Sequence, residues 1–261
     1  MMNSKSHSFV ILAYKNSEFL EECVRSVLNQ TIGSMVVIAT STPNRFIRYV
    51  ADKYGLKVIV NAEKGGIAAD FDFALSCTDS ELVTIAHQDD IYDQKYLESL
   101  LKVVDDEMLI AFTDSHELKN DRIEKTNVNL FIKRCLLFLL RFRLFQGCTI
   151  IKRLCLSFGN PICCPSVMFN RSLTGDGLFI SDFKSNMDWF AWTKLSVRKG
   201  RFIYLKYPFV IHRIHKGSAT SSVIRDKMRV KEDLEMFRQF WPEPIAYIIG
   251  RIYGRSEINN S

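Results

Sequence analysis

The chain of 261 residues predicts an α/β fold: a mostly parallel, Rossmann-like central sheet flanked by helices, with a more helical region toward the carboxyl end. Three observations carry this expectation. Short apolar runs recur through roughly the first 115 residues, helical spacing fills the gaps between them, and each run is apolar on both faces, as a covered parallel sheet requires. Strand, helix and strand in repetition give right-handed crossovers.

The strand-like runs are SFVILAY (8–14), MVVIAT (35–40), LKVIVN (56–61), LVTIA (82–86) and MLIAFTD (108–114). Between the first two lies SEFLEECVRSVLNQ, in which Phe19, Leu20, Cys23, Val24, Val27 and Leu28 recur at helical spacing. A polar Asn16-Ser17 start and Glu18, Glu21 and Glu22 in the first turns suit a helix amino terminus. In such sheets ligands bind beyond the carboxyl ends of the strands, so the polar stretches 13–16, 40–43, 61–66 and 87–90 are expected along one edge. The second half holds a basic, apolar segment near 128–157, then SFGNPICCPSVMFNRS, a helical MDWFAWTKLSVRKG, the run FIYLKYPFVIHRIHKGSAT, and a last helix in IRDKMRVKEDLEMFRQFW.

With 47% apolar residues the chain can bury a full core as one domain. The start MMNSKSHSFVILAY has too short an apolar run for a signal peptide, and no stretch reaches the roughly 18 apolar residues of a membrane span; a cytoplasmic location is expected. Seven cysteines with no CxxC pair argue against a zinc site and a disulfide framework, and buried, reduced thiols are expected. The net charge of +6 is concentrated: residues 125–175 carry eight basic residues (Lys125, Lys133, Arg134, Arg141, Arg143, Lys152, Arg153, Arg171) and no acid. Within that span LFIKRCLLFLLRFRLFQ fits either a helix lying on an anionic membrane or a core helix whose arginines reach outward. No nucleic-acid motif accompanies the charge, and no nucleic-acid partner is expected.

Three constellations hold candidate chemistry. In VTIAHQDDIYD, Asp89 and Asp90 follow an apolar strand; adjacent carboxylates there are either well solvated or hold a hard cation such as Mg²⁺ or Mn²⁺. Asp188, flanked by Trp189, Phe190 and Trp192, suits a partly desolvated general base or a helix cap. His212, Arg213 and His215, with Ser218 and Thr220 beyond, fit a diphosphate contact or an ordinary strand end.

The order of these segments resembles the inverting family 2 glycosyltransferases of the GT-A fold, particularly those of bacterial cell-surface polysaccharides. FVILAYKNSEFLEECVRSVLNQT resembles the family's first strand and helix, GGIAADFDFAL its glycine-containing segment, and IAHQDDIYD its acidic motif. NPICCPSVMFNRS is similar to an acceptor-side segment, MDWFAW to the region of the catalytic base, and HRIHKGSAT to a late Arg-x-His element. The resemblance implies a nucleotide-sugar donor, a glycan or lipid-linked acceptor and a divalent cation held by Asp89 and Asp90. It implies Asp188 as the base that deprotonates the acceptor, His215 and Arg213 near the phosphates, and Ala13, Tyr14 and Lys15 along the nucleotide pocket. Residues 1–118 are then the donor half of the single domain, 119–261 the acceptor and catalytic half.

Three departures bear on this. Relatives often carry acids after the second strand, where this chain reads IATSTP with Ala39, Thr40 and Ser41; Thr40 is a candidate for the nucleotide pocket. His87 stands where the acidic motif often begins, as a cation ligand or a neighbour's partner. Asp70 replaces a frequent arginine and is a candidate for sugar hydroxyls. These changes leave open a degenerate relative, a partner subunit of a glycan-assembly complex that binds sugar nucleotide without turnover. The acid-free basic span and the tail FWPEPIAYIIGRIYG are expected to set the protein peripherally on the inner face of the cytoplasmic membrane.

Overall fold

A computed structural model describes residues 6–63, 65–215 and 227–258. The first seven elements alternate as expected: β1 (His7–Leu12), α1 (Leu20–Leu28), β2 (Met35–Thr40), α2 (Arg45–Tyr54), β3 (Lys57–Val60), α3 (Gly66–Ser76) and β4 (Leu82–His87). There follow β5 (Ile91–Tyr92), α4 (Tyr96–Leu101), β6 (Met108–Lys119), β7 (Arg122–Glu124), α5 (Val128–Leu136), a 3-10 turn (Phe138–Arg141), α6 (Arg143–Gln146) and α7 (Thr149–Leu156). A second 3-10 turn (Cys164–Ser166), β8 (Val167–Asn170), α8 (Arg171–Thr174), α9 (Met187–Ser196), β9 (Arg201–Ile214), α10 (Lys227–Arg238) and α11 (Glu243–Ile258) complete the order.

All the strands join one sheet, ordered β3-β2-β1-β4-β8-β6-β9-β5, with β7 paired to β6. The pairs β3-β2, β2-β1, β1-β4 and β6-β9 are parallel; β8, β5 and β7 run against their neighbours. The carboxyl ends of β1, β2, β4, β6 and β9 therefore share one edge, and strands from both sides of residue 118 contribute to it. Alternate side chains divide between two cores. Val10, Val37, Val83 and Ile85 pack with Phe71 of α3 and with Trp189 and Trp192 of α9, all buried. Phe9, Ile11 and Ile38 pack with Leu20 and Val24 of α1, Val50 of α2 and Leu97 of α4.

Several features were not foreseen, among them β5, β7 and α11, which follows the helix expected to be the last. PSVMFN holds the antiparallel strand β8, inserted between β4 and β6. The span LFIKRCLLFLLRFRLFQ is three short pieces, with Phe142 extended between two of them. Gln146 is drawn inward and donates from Nε2 to the Leu140 carbonyl at 3.0 Å, a side-chain bond that closes the turn where a helix would have continued. Of the cysteines, Cys23, Cys155 and Cys164 are buried as expected, but Cys135 is exposed; all seven are free. Of the eight basic residues between 125 and 175, Arg134 is paired with Asp114, Lys152 donates to the Arg198 and Gly200 carbonyls, and Arg171 donates to the Thr78 carbonyl, so these three serve the interior. Among the described residues no helix is long and apolar enough to cross a membrane. Ser218, Thr220 and the start of the last predicted helix lie outside the described residues.

His7 gives the fold a measurable pH dependence. Its ring is held between Ser34 Oγ at 2.8 Å and Thr84 Oγ1 at 3.0 Å, and burial lowers its pKa from 6.5 to about 3. Below 6.5 the unfolded chain takes up the proton and the folded chain does not, so stability is lost as pH falls through this window. The expected loss is about 1.4 kcal/mol per pH unit. Urea unfolding across that range should show this slope in the protein and a shallower one in His7→Gln; equal slopes would refute the assignment.

Candidate functional site

The acid pair lies where the sheet edge was expected to gather polar residues, at the turn after β4. Its two members have different surroundings. Asp90 is 1% exposed. Its Oδ1 accepts from His212 Nδ1 at 3.0 Å and from the Arg213 amide at 2.8 Å, which ties β4 to the end of β9. Its Oδ2 lies 3.8 Å from His87 Nδ1 and has no hydrogen-bond partner. Burial acts to raise the Asp90 pKa, but His212, His87 and the Arg213 amide together outweigh it and hold the carboxyl below the usual range. Asp89 is nearer the surface: Oδ1 accepts from Ser17 Oγ at 2.5 Å, and Oδ2 lies 3.2 Å from His215 Nε2.

Adjacent carboxylates are thus accommodated largely by groups that β9 delivers. Arg213 is buried; it donates from Nε to the Asp89 carbonyl at 3.0 Å, pairs with Glu22 at 2.5 Å and stacks 4.1 Å over the Phe19 ring. Its charge clamps β9 to α1, so the guanidinium expected near the phosphates has its visible bonds within the protein. His215 packs edge-on to the same Phe19 ring at 5.0 Å. His87 packs edge-on to Phe71 at 5.2 Å, burial lowers its pKa, and its Nε2 has no hydrogen-bond partner.

The other candidates of the first half line the same edge. Ala13 is buried, its amide donating to the Ala39 carbonyl. The Tyr14 backbone exchanges two hydrogen bonds with the Gln88 amide, at 2.9 and 3.0 Å, and leaves the Tyr14 ring half exposed. Lys15 holds a left-handed φ of 54° and donates its amide to Thr42 Oγ1 at 2.6 Å; a non-glycine residue there is strained. Lys15, Asn16, Thr42, Pro43 and Asn44 line an open depression of about 490 Å³. Thr40 is buried and its hydroxyl accepts from the Thr42 amide at 3.1 Å, so it shapes this turn from beneath.

Asp70 accepts from Ser41 Oγ at 2.7 Å and Asn61 Nδ2 at 2.8 Å. A carboxylate is therefore present at the ends of β2 and β3 although IATSTP has none. The glycines before it make that approach possible: a Cβ on Gly65 would sit 2.3 Å from the Ala69 Cβ, and Gly66 has a φ of +79°.

Asp188 begins α9. Trp189 and Trp192 are fully buried and belong to the core around α9. Asp188 Oδ2 accepts from Asn160 Nδ2 at 2.7 Å and Oδ1 from the Trp189 amide at 2.7 Å. Burial raises its pKa in spite of these donors and of Arg229. The segment 160–165 runs from Asp188 to the acid turn: Asn160 bonds the Asp188 carboxylate, and the Pro165 carbonyl accepts from the Tyr92 hydroxyl at 2.7 Å, two residues beyond Asp90. The loop before Asp188 is fixed from α10. Glu232 accepts from the Lys184 and Ser185 amides at 2.8 and 2.9 Å, and Asp233 from Asn186 Nδ2 at 2.7 Å.

Reading by residue type missed Ser17, Gln88, Asn160, Glu22 and Glu232. Only Asn160 had a signal, as the first residue of NPICCP.

A divalent cation finds a partial donor set here. Asp89 Oδ2 and His215 Nε2 are 3.2 Å apart, close to the roughly 3 Å between neighbouring ligands of an octahedral ion bound at about 2.1 Å. Asp90 Oδ2 is a buried acceptor without a hydrogen-bond partner. Among the described residues no group of three or more His, Cys, Asp or Glu is arranged to hold a metal, so an ion here needs ligands from the substrate. The residues fit such a shared ion.

The family model described as Glycosyl transferase family 2 matches residues 8–173, more than half of the chain. No curated protein matches the sequence. Among solved structures, the mannosyltransferase PcManGT from Pyrobaculum calidifontis, in complex with GDP-Man and Mn²⁺, superposes with a TM-score of 0.64 at 17% identity, over 95% of this chain and 69% of that one. S. aureus TarS 1–349 gives 0.61 at 16%, over 94% and 69%. Its complex with UDP-GlcNAc gives 0.62 at 13%, over 94% and 70%. At these identities the likeness is one of fold, a GT-A arrangement of a mostly parallel sheet and flanking helices.

Proposed function

The chain belongs to glycosyl transferase family 2 and is a glycosyltransferase; from this premise we propose that it moves a sugar from a nucleotide donor to a hydroxyl of a glycan or lipid-linked acceptor, with inversion. The product would be a cell-surface polysaccharide, made in the cytoplasm at the inner face of the membrane. What supports this reading is the segment 160–165, which bonds Asp188 through Asn160 and the strand just after the acid turn through Tyr92, together with the burial that raises the proton affinity of Asp188.

In this reading the donor's nucleoside lies along Ala13–Lys15 and the Thr42 turn, with the Asp70 carboxylate offered to hydroxyls or to the base. Asp89 and His215, with the free oxygen of Asp90, would hold the cation. When bound it supplies a Lewis acid against the charge that grows on the leaving diphosphate. Asp188 accepts the acceptor's proton, and Asn160 fixes the carboxylate's orientation. With one donor on each oxygen, the carboxylate keeps further lone pairs for an incoming hydroxyl. Displacement from the side opposite the diphosphate inverts the anomeric centre.

A panel of nucleotide sugars, each with and without Mn²⁺, tests the proposal by thermal shift and by release of nucleoside diphosphate. One donor is expected to raise the melting temperature with metal present, and acceptor to accelerate diphosphate release. Stabilisation without any release, under any acceptor, would favour a non-catalytic partner subunit. No stabilisation by any donor would overturn the reading of the site.

A further inference from the structure

The basic span that the sequence left ambiguous is resolved into a surface feature that the transfer reaction does not use. α5, the 3-10 turn, α6 and α7 pack on one another and leave large apolar side chains facing outward. Phe131 is 63% exposed, Phe138 48%, Phe142 49% and Leu144 83%. Four of the side chains here form one continuous cluster: Arg141 stacks 5.5 Å over the Phe138 ring, Phe138 packs edge-on to Phe142 at 5.6 Å, and Phe142 edge-on to Phe145 at 6.3 Å. Leu144 and Arg143 stand beside it, Arg143 exposed with an ion pair at 3.3 Å to Asp105. A soluble surface rarely groups aromatic and aliphatic side chains this way without a partner.

We propose that this cluster, Phe138, Arg141, Phe142, Arg143 and Leu144, is the surface by which the protein lies on an anionic lipid bilayer. Charge selects the occupant. Residues 125–175 contain no acid, and Asp105, which reaches the patch from outside that span, is shared between Arg143 and Arg201, so the patch offers cations and apolar rings together, the pairing that an anionic headgroup layer over acyl chains accepts. A second copy of this chain docking by the same patch would bring Arg141 and Arg143 against their equivalents, which like charge opposes. The break of the helix at Leu137 and Phe142 has a consequence here: short pieces turn Phe142 and Leu144 outward where one continuous helix would carry a single stripe.

The cluster also connects to the site. Asn127, which caps α5 by accepting from the Leu130 amide at 2.8 Å, donates at 2.7 Å to Glu117. Glu117 pairs across the sheet with His212, the partner of Asp90. On the other side α7 packs against α9, where Trp189, the residue after Asp188, donates from Nε1 to the Leu156 carbonyl at 3.0 Å. Docking would therefore set the bilayer beside the acceptor side of the site, which deepens, and rests on, the proposal of a lipid-linked acceptor.

Sedimentation with vesicles tests it, using phosphatidylcholine alone and phosphatidylcholine mixed with phosphatidylglycerol. The full chain is expected to bind the mixed vesicles at low salt, with binding about tenfold or more weaker on the neutral ones and at high salt. Arg141→Glu and Leu144→Asp, both at exposed positions, should each lower partition about tenfold while thermal shift with donor and Mn²⁺ is unchanged. Absence of binding, or variants that bind as the parent does, would overturn the proposal and leave the donor site untouched. A concentration-dependent dimer abolished by Leu144→Asp would overturn it in favour of a second copy.

Discussion

Asp188→Asn is expected to lower the turnover number for sugar transfer by about a thousandfold, within the range of roughly 10² to 10⁴ that a positioned base supplies, while donor binding is kept. The change is nearly isosteric. It removes the proton acceptor and preserves an oxygen for the Trp189 amide, so the helix start should hold. Thermal shift with donor and Mn²⁺ should match the parent, and the loss should fall on turnover more than on the Michaelis constant for donor. A pH profile gives a second readout. Because burial raises the Asp188 pKa, the active deprotonated form is lost as pH falls through a value above the ordinary carboxylate range, and the acidic limb of kcat/KM should lie there. Retained turnover in the variant would remove Asp188 from the role.

The second large effect separates the neighbouring acids. Asp90→Ala is expected to destabilise the fold by about 3–5 kcal/mol, since it leaves His212 and the Arg213 amide facing an empty buried position. For a domain of this size that corresponds to a fall of roughly 10 °C in melting temperature. Asp89→Ala should cost about 1 kcal/mol or less in the absence of ligand, because its contacts to Ser17 and His215 lie near the surface, but it should abolish the stabilisation by donor and Mn²⁺. Thermal melts of both variants, with and without ligand, decide this. Equal losses of stability would contradict the division of labour.

That division shows where sequence reasoning stops. The alternation of apolar runs fixed the position of β1 to β4, because burial on both faces leaves a pattern that survives without knowledge of partners. The edge on which Asp89 and Asp90 stand followed from strand direction alone. What the chain did not disclose is which cation answers which acid. His212, Arg213 and His215 lie more than a hundred residues beyond Asp89 and Asp90, and the antiparallel pairing of β5 with β9, Ile91 opposite Ile211, brings them there. The same holds for Asn160 and Glu232, whose partners at Asp188, Lys184 and Ser185 are set by packing of α9 and α10. β8 was hidden because PSVMFN is short and sits between two strands that were themselves legible. Asp188 stands in the first turn of the helix that MDWFAW suggested, while its donors, Asn160 and the Trp189 amide, are ones that residue type did not reveal.

Asp89 and His215 are expected to act together at the donor's diphosphate while Asp90 holds the sheet edge. The direct measurement is a crystal structure with nucleoside diphosphate and Mn²⁺, read by anomalous scattering. The expected result is a manganese peak within bonding distance of the Asp89 carboxylate and the His215 imidazole, with Asp90 still bonded to His212 and to the Arg213 amide. A manganese ion bound elsewhere with the diphosphate, and Asp89 still closed on Ser17 and His215, would contradict it.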